Sequence, residues 1–157
     1  MKQTGEELDS LVKATLPKLE AIAEAESLAT RGPETWSRKQ ILGHLIDSGL
    51  NNVQRFIRAP QEARFVFPGY EQQLWVDRGG YQERSWASLV QLWGYLNFHI
   101  AQVIIRIPPD AADVPCVIGT DEAVTLAFVV EDYVRHLRHH LDQVLDPERS
   151  KGKSHVR

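Results

Sequence analysis

Four long stretches of this sequence place apolar residues three and four positions apart, and this spacing constrains the fold more than any other feature of the chain. On an α-helix such spacing gathers the apolar side chains on one face, which has to be buried against other helices. The stretches cover residues 6–27, 35–59, 85–107 and 121–145. We therefore predict an all-α fold, and specifically a four-helix bundle.

The ends of these helices are indicated by capping residues and by proline. Ser37 or Thr35 is suited to cap the second helix, and Ser85 is suited to cap the third. The connection between those two helices, residues 60–84, is long, and a short extra helix is predicted within it at residues 71–77. The helices therefore need not follow a simple up-down order. No stretch alternates polar and apolar residues in the way that predicts a β-strand.

The chain is long enough for one compact domain with its own core, and we predict that residues 1–149 form this single domain and residues 150–157 a flexible polar tail. Pro17 falls inside the first helical stretch. It removes a backbone donor and crowds the preceding turn, so we expect it to kink the first helix or to split it.

Charge and cysteine content exclude several classes of protein. The formal net charge is −3, which gives no basic surface for nucleic acid or for a membrane. No apolar run reaches the roughly 18 residues that span a bilayer, and the first residues lack the apolar core of a signal peptide. A cytoplasmic location is therefore expected. With Cys116 as the single cysteine, neither an internal disulfide nor a cysteine zinc site can form, so a metal would need His, Asp or Glu ligands.

Two histidines in the fourth helix share one face. His136 and His140 are four residues apart, which stacks them one turn above the other, at or within the apolar face of the helix. His139 points away from that face and is expected at the rim or in solvent. Inward-facing imidazoles need partners. A metal ion would supply them, and so would hydrogen bonds to neighbouring side chains and water.

The second helix carries a polar stripe beside its apolar face. The stripe contains His44, Asp47, Ser48, Asn51 and Arg55. It is typical either of an ordinary solvated surface or of the polar wall of a cleft with His44 at its inner edge, and spacing alone does not separate the two. His99, in the third helix, is a possible fourth imidazole, and we expect it at an interface or at the surface rather than among the ligands.

Two motifs resemble those of the DinB-like (DinB/YfiT) superfamily. The first lies between Trp36 and Phe56 and includes the run Ile41-Leu42-Gly43-His44-Leu45-Ile46-Asp47. The second is the run His136-Leu137-Arg138-His139-His140-Leu141-Asp142-Gln143-Val144. The resemblance covers about 110 residues and implies a four-helix bundle with a long connection. It also implies a divalent metal ion, commonly nickel, zinc or iron, held by His44, His136 and His140.

The resemblance further implies a homodimer. Characterised relatives include transferases and isomerases that use mycothiol or bacillithiol, and many members have no known activity. We therefore expect a metal-dependent enzyme that activates a low-molecular-weight thiol for transfer or water for hydrolysis of a small molecule. Asp47, Asn51 and Arg55 are expected to contact substrate or to support the ligands, and Arg55 is suited to an anionic group. Asp47 and Tyr133 are the candidate acids or bases. The competing hypothesis is a non-catalytic, metal-binding dimeric bundle with a stress-related or interaction role.

Overall fold

Six α-helices and three short β-strands make up the chain in the computed structural model, which describes residues 1–30, 32 and 35–146. The helices are α1 (Lys2–Glu20), α2 (Glu24–Leu28), α3 (Arg38–Arg58), α4 (Gln72–Gly79), α5 (Trp86–Ile105) and α6 (Leu126–Leu145). The strands are β1 (Phe65–Phe67), β2 (Pro115–Ile118) and β3 (Val124–Thr125). The tail predicted at residues 150–157 lies outside the described residues. The four long helices confirm the predicted all-α bundle.

The four long helices are not neighbours in chain order. Helix α1 packs mainly on α5, while α3 packs on both α5 and α6, and α6 closes the ring against α1. The first and second long helices, α1 and α3, are therefore diagonal to each other, and so are α5 and α6. The segment with α2 joins the first pair, and the segment with β2 and β3 joins the second. Their apolar faces meet in a core whose fully buried side chains include Leu8, Leu42, Trp93, Ile100 and Leu137.

Local sequence signals explain where the two central helices begin. The Ser37 side chain accepts a hydrogen bond from the backbone N–H of Gln40, and the Gln40 side chain accepts one from the N–H of Ser37, which completes a capping box. Ser85 caps α5 by accepting from the N–H of Ser88. Of the two caps predicted for the second long helix, Ser37 is thus the one that forms.

The first predicted helix is divided, but not at Pro17. Helix α1 continues through Pro17 and ends one turn later, where the N–H of Ala21 donates to the Pro17 carbonyl oxygen. The short helix α2 then starts because the Glu26 carboxylate accepts a hydrogen bond from the N–H of Ala23. The backbone groups of α2 form their hydrogen bonds separately from those of α1. The apolar spacing in the sequence continues across the break although the helix does not.

The expectation that the chain has no strands is wrong. Strand β1 pairs in parallel with β2, with Phe65 opposite Cys116, and β2 pairs in antiparallel fashion with β3. This small sheet takes up residues that were predicted to belong to the fourth helix, so α6 begins at Leu126 rather than at Asp121. Each strand has at most four residues, too few for alternation to be recognised. The sheet lies against α6 and, with the segment before α4, covers one side of the α3–α6 pair.

Within the part of the chain described here, no helix combines the length and the apolar character that crossing a membrane requires.

Candidate metal centre

The polar stripe of α3 is buried rather than solvated. His44 has no exposed surface, and Asp47, Ser48, Asn51 and Arg55 are each no more than 8% exposed. Because α3 lies between α5 and α6, its polar side meets α6 and the segments that cover the bundle. Of the two interpretations that the sequence allowed for this stripe, the polar wall of a buried site is therefore correct.

Helix α6 presents two histidines to this wall. His136 and His140 are half-buried, whereas His139 between them is exposed, as the helical rotation predicts. The ring centroids of His136 and His140 are 4.5 Å apart, and those of His44 lie 5.0 Å from His136 and 4.9 Å from His140. Imidazoles from two helices therefore meet at one point. Histidine 99, on α5, is exposed and takes no part.

The nitrogen atoms of these rings are spaced as a metal ion requires. One ring nitrogen from each of His44, His136 and His140 lies within 4.8 Å of the other two. The Nε2 atoms of His44 and His136 are 3.1 Å apart. Nitrogen ligands about 2.0–2.1 Å from a zinc ion are separated by roughly 2.8–3.0 Å in octahedral geometry and roughly 3.3–3.4 Å in tetrahedral geometry. The 3.1 Å between the Nε2 atoms of His44 and His136 lies between these values.

Burial keeps the imidazoles of His44 and His136 uncharged near neutral pH. Burial first, and then the positive charges that His136 and His140 would carry, lower the pKa of His44 to about 3. Burial first, and then His140 and His139, lower the pKa of His136 to about 4. A neutral imidazole has a free lone pair, which is the form that ligates a metal.

Two further contacts orient the rings. The side-chain oxygen of Gln143 lies 2.9 Å from Nδ1 of His140, and the Gln143 amide nitrogen lies 3.0 Å from Nε2 of His139. A proton on Nδ1 of His140, donated to Gln143, leaves its Nε2 lone pair available to the site. On the other side, the Trp36 ring lies 5.1 Å from the His44 ring. Nδ1 of His44 is buried and has no hydrogen-bond partner within the described residues.

The donor chemistry therefore fits a divalent ion. Three imidazoles suit zinc, nickel and iron, and burial keeps two of them, His44 and His136, in the neutral form that ligates. The fit rests on the spacing of the nitrogens and on the depressed pKa values of His44 and His136.

Beside the histidines lies a cavity of about 380 Å³. His136 and Tyr133 of α6 line one side, and Ser48, Asn52 and Arg55 of α3 line the other. The segment at Gly69–Tyr70 and the turn around residues 118–124, which joins β2 to β3, complete the wall. A small molecule in this cavity would reach the edge of the histidine cluster.

The remaining predicted residues have different surroundings. Asp47 accepts a hydrogen bond of 2.5 Å from the Tyr81 hydroxyl, and burial raises its pKa. The Asn51 amide donates to the Asp47 carbonyl oxygen of the same helix. Tyr133 is buried and donates to Asn97, 2.6 Å away, and its burial raises its pKa. Of the three residues expected to contact substrate, only Arg55 lines the cavity.

Comparison with known proteins shows the family. The model of the DinB superfamily matches residues 7–144. This chain belongs to the DinB superfamily. Among solved structures, YfiT from Bacillus subtilis, described as a probable metal-dependent hydrolase with an unusual four-helix bundle topology, matches with a TM-score of 0.77. The two chains are 19% identical, and the match covers 98% of this chain and 91% of YfiT. A search of curated proteins finds no match.

Some residues of this DinB-superfamily site could not be identified from the sequence, because they contact residues far away in the chain. Tyr81 is 34 positions from the Asp47 that it bonds, and Tyr70 lines the cavity from the connection before α4. The contact of the Trp36 ring with His44 was not foreseen either. Gln143 is part of the matched motif, and its spacing of three from His140 was the signal that could have identified it as an orienting residue.

Proposed function

We propose that this protein is a divalent-metal-dependent hydrolase of small molecules, with His44, His136 and His140 as the metal ligands. The observation that carries the proposal is the convergence of three imidazoles at the edge of a cavity. A structural metal site is normally closed by four protein ligands, whereas a catalytic site uses three and keeps a position open. The cavity beside His136 therefore favours an enzyme over the competing hypothesis of a non-catalytic bundle.

A divalent ion held by uncharged imidazoles keeps its full positive charge, which lowers the pKa of water or a thiol toward neutrality and polarises a carbonyl group. The protein's own contribution is orientation and exclusion of water. Gln143 fixes the tautomer of His140, while burial and the Trp36 ring hold His44 in a single position. The cavity beside His136 gives a small molecule room next to the ligands. The description of YfiT as a probable metal-dependent hydrolase supports water rather than a thiol as the nucleophile.

Metal binding tests the first half of the proposal. Protein treated with EDTA and then titrated with Zn²⁺ or Ni²⁺ in a calorimeter should bind about one ion per chain. His140→Ala should weaken binding by more than about tenfold, since even the loss of an outer-shell partner has that effect. His139→Ala is the matched control, because His139 is the adjacent exposed residue on the same helix. Equal affinity in wild type and His140→Ala would refute the ligand assignment.

Activity tests the second half. Metal-loaded protein is assayed on a panel of chromogenic esters and amides, with and without an added low-molecular-weight thiol. The proposal expects thiol-independent hydrolysis that is lost with EDTA, restored by the ion, and absent in His140→Ala. Turnover that requires the thiol would instead support the thiol-transfer alternative. The predicted homodimer and cytoplasmic location stay predictions, and light scattering of the purified protein tests the first of them.

A further inference from the structure

Arg55 is a buried cation without a carboxylate partner. It is 8% exposed, and only its Nη1 has a protein acceptor, the side-chain oxygen of Asn52 at 3.2 Å. Its Nε is buried and makes no hydrogen bond within the described residues, where no ion pair to Arg55 forms either. A guanidinium has five N–H donors. Most of its donor capacity is therefore unused by the protein.

The contacts that hold this cation compensate only part of the cost of its burial. The guanidinium carbon lies 5.1 Å from the centre of the Phe67 ring, and such a contact is worth about 0.5–2 kcal/mol. Burial lowers the pKa of Arg55, and Tyr70 and Cys116 oppose that shift. An arginine stays charged in a protein. A buried charge of this kind calls for an anion, and the protein does not provide one.

Arg55 lines the same cavity as His136. Arg55, Asn52 and Ser48 line it from successive turns of α3, on the stripe that contains His44. Asn52 also donates to the Ser48 carbonyl, so the residue that holds Nη1 is itself fixed. Eleven residues separate His44 from Arg55, which corresponds to about 16 Å along the helix axis. The cavity therefore has a cationic group at one end and the candidate metal ligands at the other.

We propose that Arg55 binds a single oxyanion, a carboxylate or phosphate group, on the substrate whose reacting group lies at the histidine cluster. This inference rests on the proposed function for the position of the reacting group, but the anion site itself does not need the metal. The substrate would be an elongated molecule, with its charged group roughly 10–15 Å from the bond that reacts.

The rim of the cavity narrows the substrate class further. Asp121 and Glu122 are exposed and line the cavity together with Asp132, which forms an ion pair with Arg135. Arg55 is the single basic side chain among the Lys and Arg residues of the described chain that lines the cavity. Negative charges at the rim repel a molecule with several anionic groups, since like charges at close range are unfavourable. The site therefore favours one anionic group over a polyphosphate.

The binding test uses EDTA-treated, ¹⁵N-labelled protein and inorganic phosphate as the ligand, with chloride at equal ionic strength as the reference. The Nε–H resonance of Arg55 is assigned by its loss in Arg55→Gln. Phosphate should shift this resonance in a saturable way, and Arg55→Gln should weaken phosphate binding about tenfold or more. Arg58→Gln is the matched control, because Arg58 lies one turn away, contacts the same Phe67 ring and does not line the cavity. Arg55→Lys keeps the charge and should retain part of the binding, which guards against a folding defect in Arg55→Gln.

The second arm uses metal-loaded protein and a matched pair of nitrophenyl esters, one neutral and one with a free terminal carboxylate. Arg55→Gln should raise the ratio of the KM for the anionic ester to the KM for the neutral ester about tenfold, whereas Arg58→Gln should leave this ratio at the wild-type value. The inference is wrong, while the proposed hydrolase stands, if phosphate does not shift the Arg55 Nε–H resonance. The same holds if Arg55→Gln leaves the ratio of the two KM values at the wild-type level. If phosphate binds through Arg55 but no ion binds and no ester is hydrolysed, the anion site stands and the proposed function fails.

Discussion

Replacing Gly43 with alanine should destabilise this protein, although alanine is the better helix former. Gly43 lies in α3 next to His44, and the Tyr81 ring packs directly on it. A Cβ atom at this position would lie no more than 2.5 Å from three carbons of that ring. A Cβ on Gly79 would also overlap Tyr81, so the ring is held closely by two glycines and cannot simply slide aside.

The expected change in the free energy of unfolding combines one stabilising contribution with two destabilising ones. Alanine in place of glycine inside a helix gains about 1 kcal/mol. Forcing an extra methyl group into a packed site costs about 1–3 kcal/mol. If the Tyr81 ring moves, its 2.5 Å hydrogen bond to the Asp47 carboxylate is lost, and a hydrogen bond to a charged group is worth about 1.5–3 kcal/mol. The net expectation for Gly43→Ala is a loss of about 2–4 kcal/mol in the free energy of unfolding.

Gly49→Ala is the matched control because it makes the same change in the same helix. Its added Cβ would lie 2.9 Å from Leu96 Cδ2 and 3.2 Å from Ile100 Cδ1, which are the ends of flexible side chains. The helix-propensity gain and a small shift should nearly cancel, leaving the stability within about 1 kcal/mol of the wild type. Urea unfolding, followed by far-UV circular dichroism with the m-value checked, measures both variants. The reasoning is refuted if Gly43→Ala is as stable as Gly49→Ala.

Two further predictions concern pH and helix capping. The native pKa of His44 (about 3) and that of His136 (about 4) lie below the value of an unfolded histidine, so the unfolded chain binds more protons below pH ~6.5 and stability is lost as the pH falls. Urea unfolding of EDTA-treated protein should show a loss of about 2 kcal/mol from His44 between pH 7 and pH 5, and the same pH dependence in His44→Gln would contradict this. Ser37→Ala should lower the free energy of unfolding by about 1–2 kcal/mol, because the buried Ser37 hydroxyl both caps α3 and donates to Gln82. Ser85→Ala removes an exposed cap of α5 and should lower it by less. Comparison of the two denaturation midpoints decides this, and equal losses would count against a role for the Gln82 contact.

The parts of the fold that depend on local chemistry could be predicted from the sequence. Helices α3 and α5 begin at Ser37 and Ser85 because the capping residue and the apolar spacing are both within one turn of the boundary. The start of α6 could not be predicted in the same way. Val124 pairs with Cys116 across the sheet, and this contact competes with the extension of α6 toward Asp121. Such a contact has no signal in the residues around the boundary itself.

In the candidate site too, features set by one helix could be predicted from the sequence, and features set by contacts between distant segments could not. The inward direction of His136 and His140, and the outward direction of His139, follow from rotation along one helix, so spacing alone was sufficient. The burial of His44 depends on which side of α3 faces α6, and the sequence left that open. The bond between Asp47 and Tyr81 joins α3 to a segment beyond α4, and it removes Asp47 from the cavity where substrate contact was expected.

The distribution of unsatisfied polar atoms separates the functional face of the bundle from its core. Within the described residues, buried side-chain atoms without a hydrogen-bond partner are Nδ1 of His44, Oδ2 of Asp47, Nε of Arg55 and Nε1 of Trp93. The first three belong to one stripe of one helix. Each such atom costs about 1–3 kcal/mol, and apolar residues of similar volume would avoid that cost. Folding alone therefore gives no reason to concentrate them on one stripe, whereas the proposed binding of a cation near His44 and of an anion at Arg55 does.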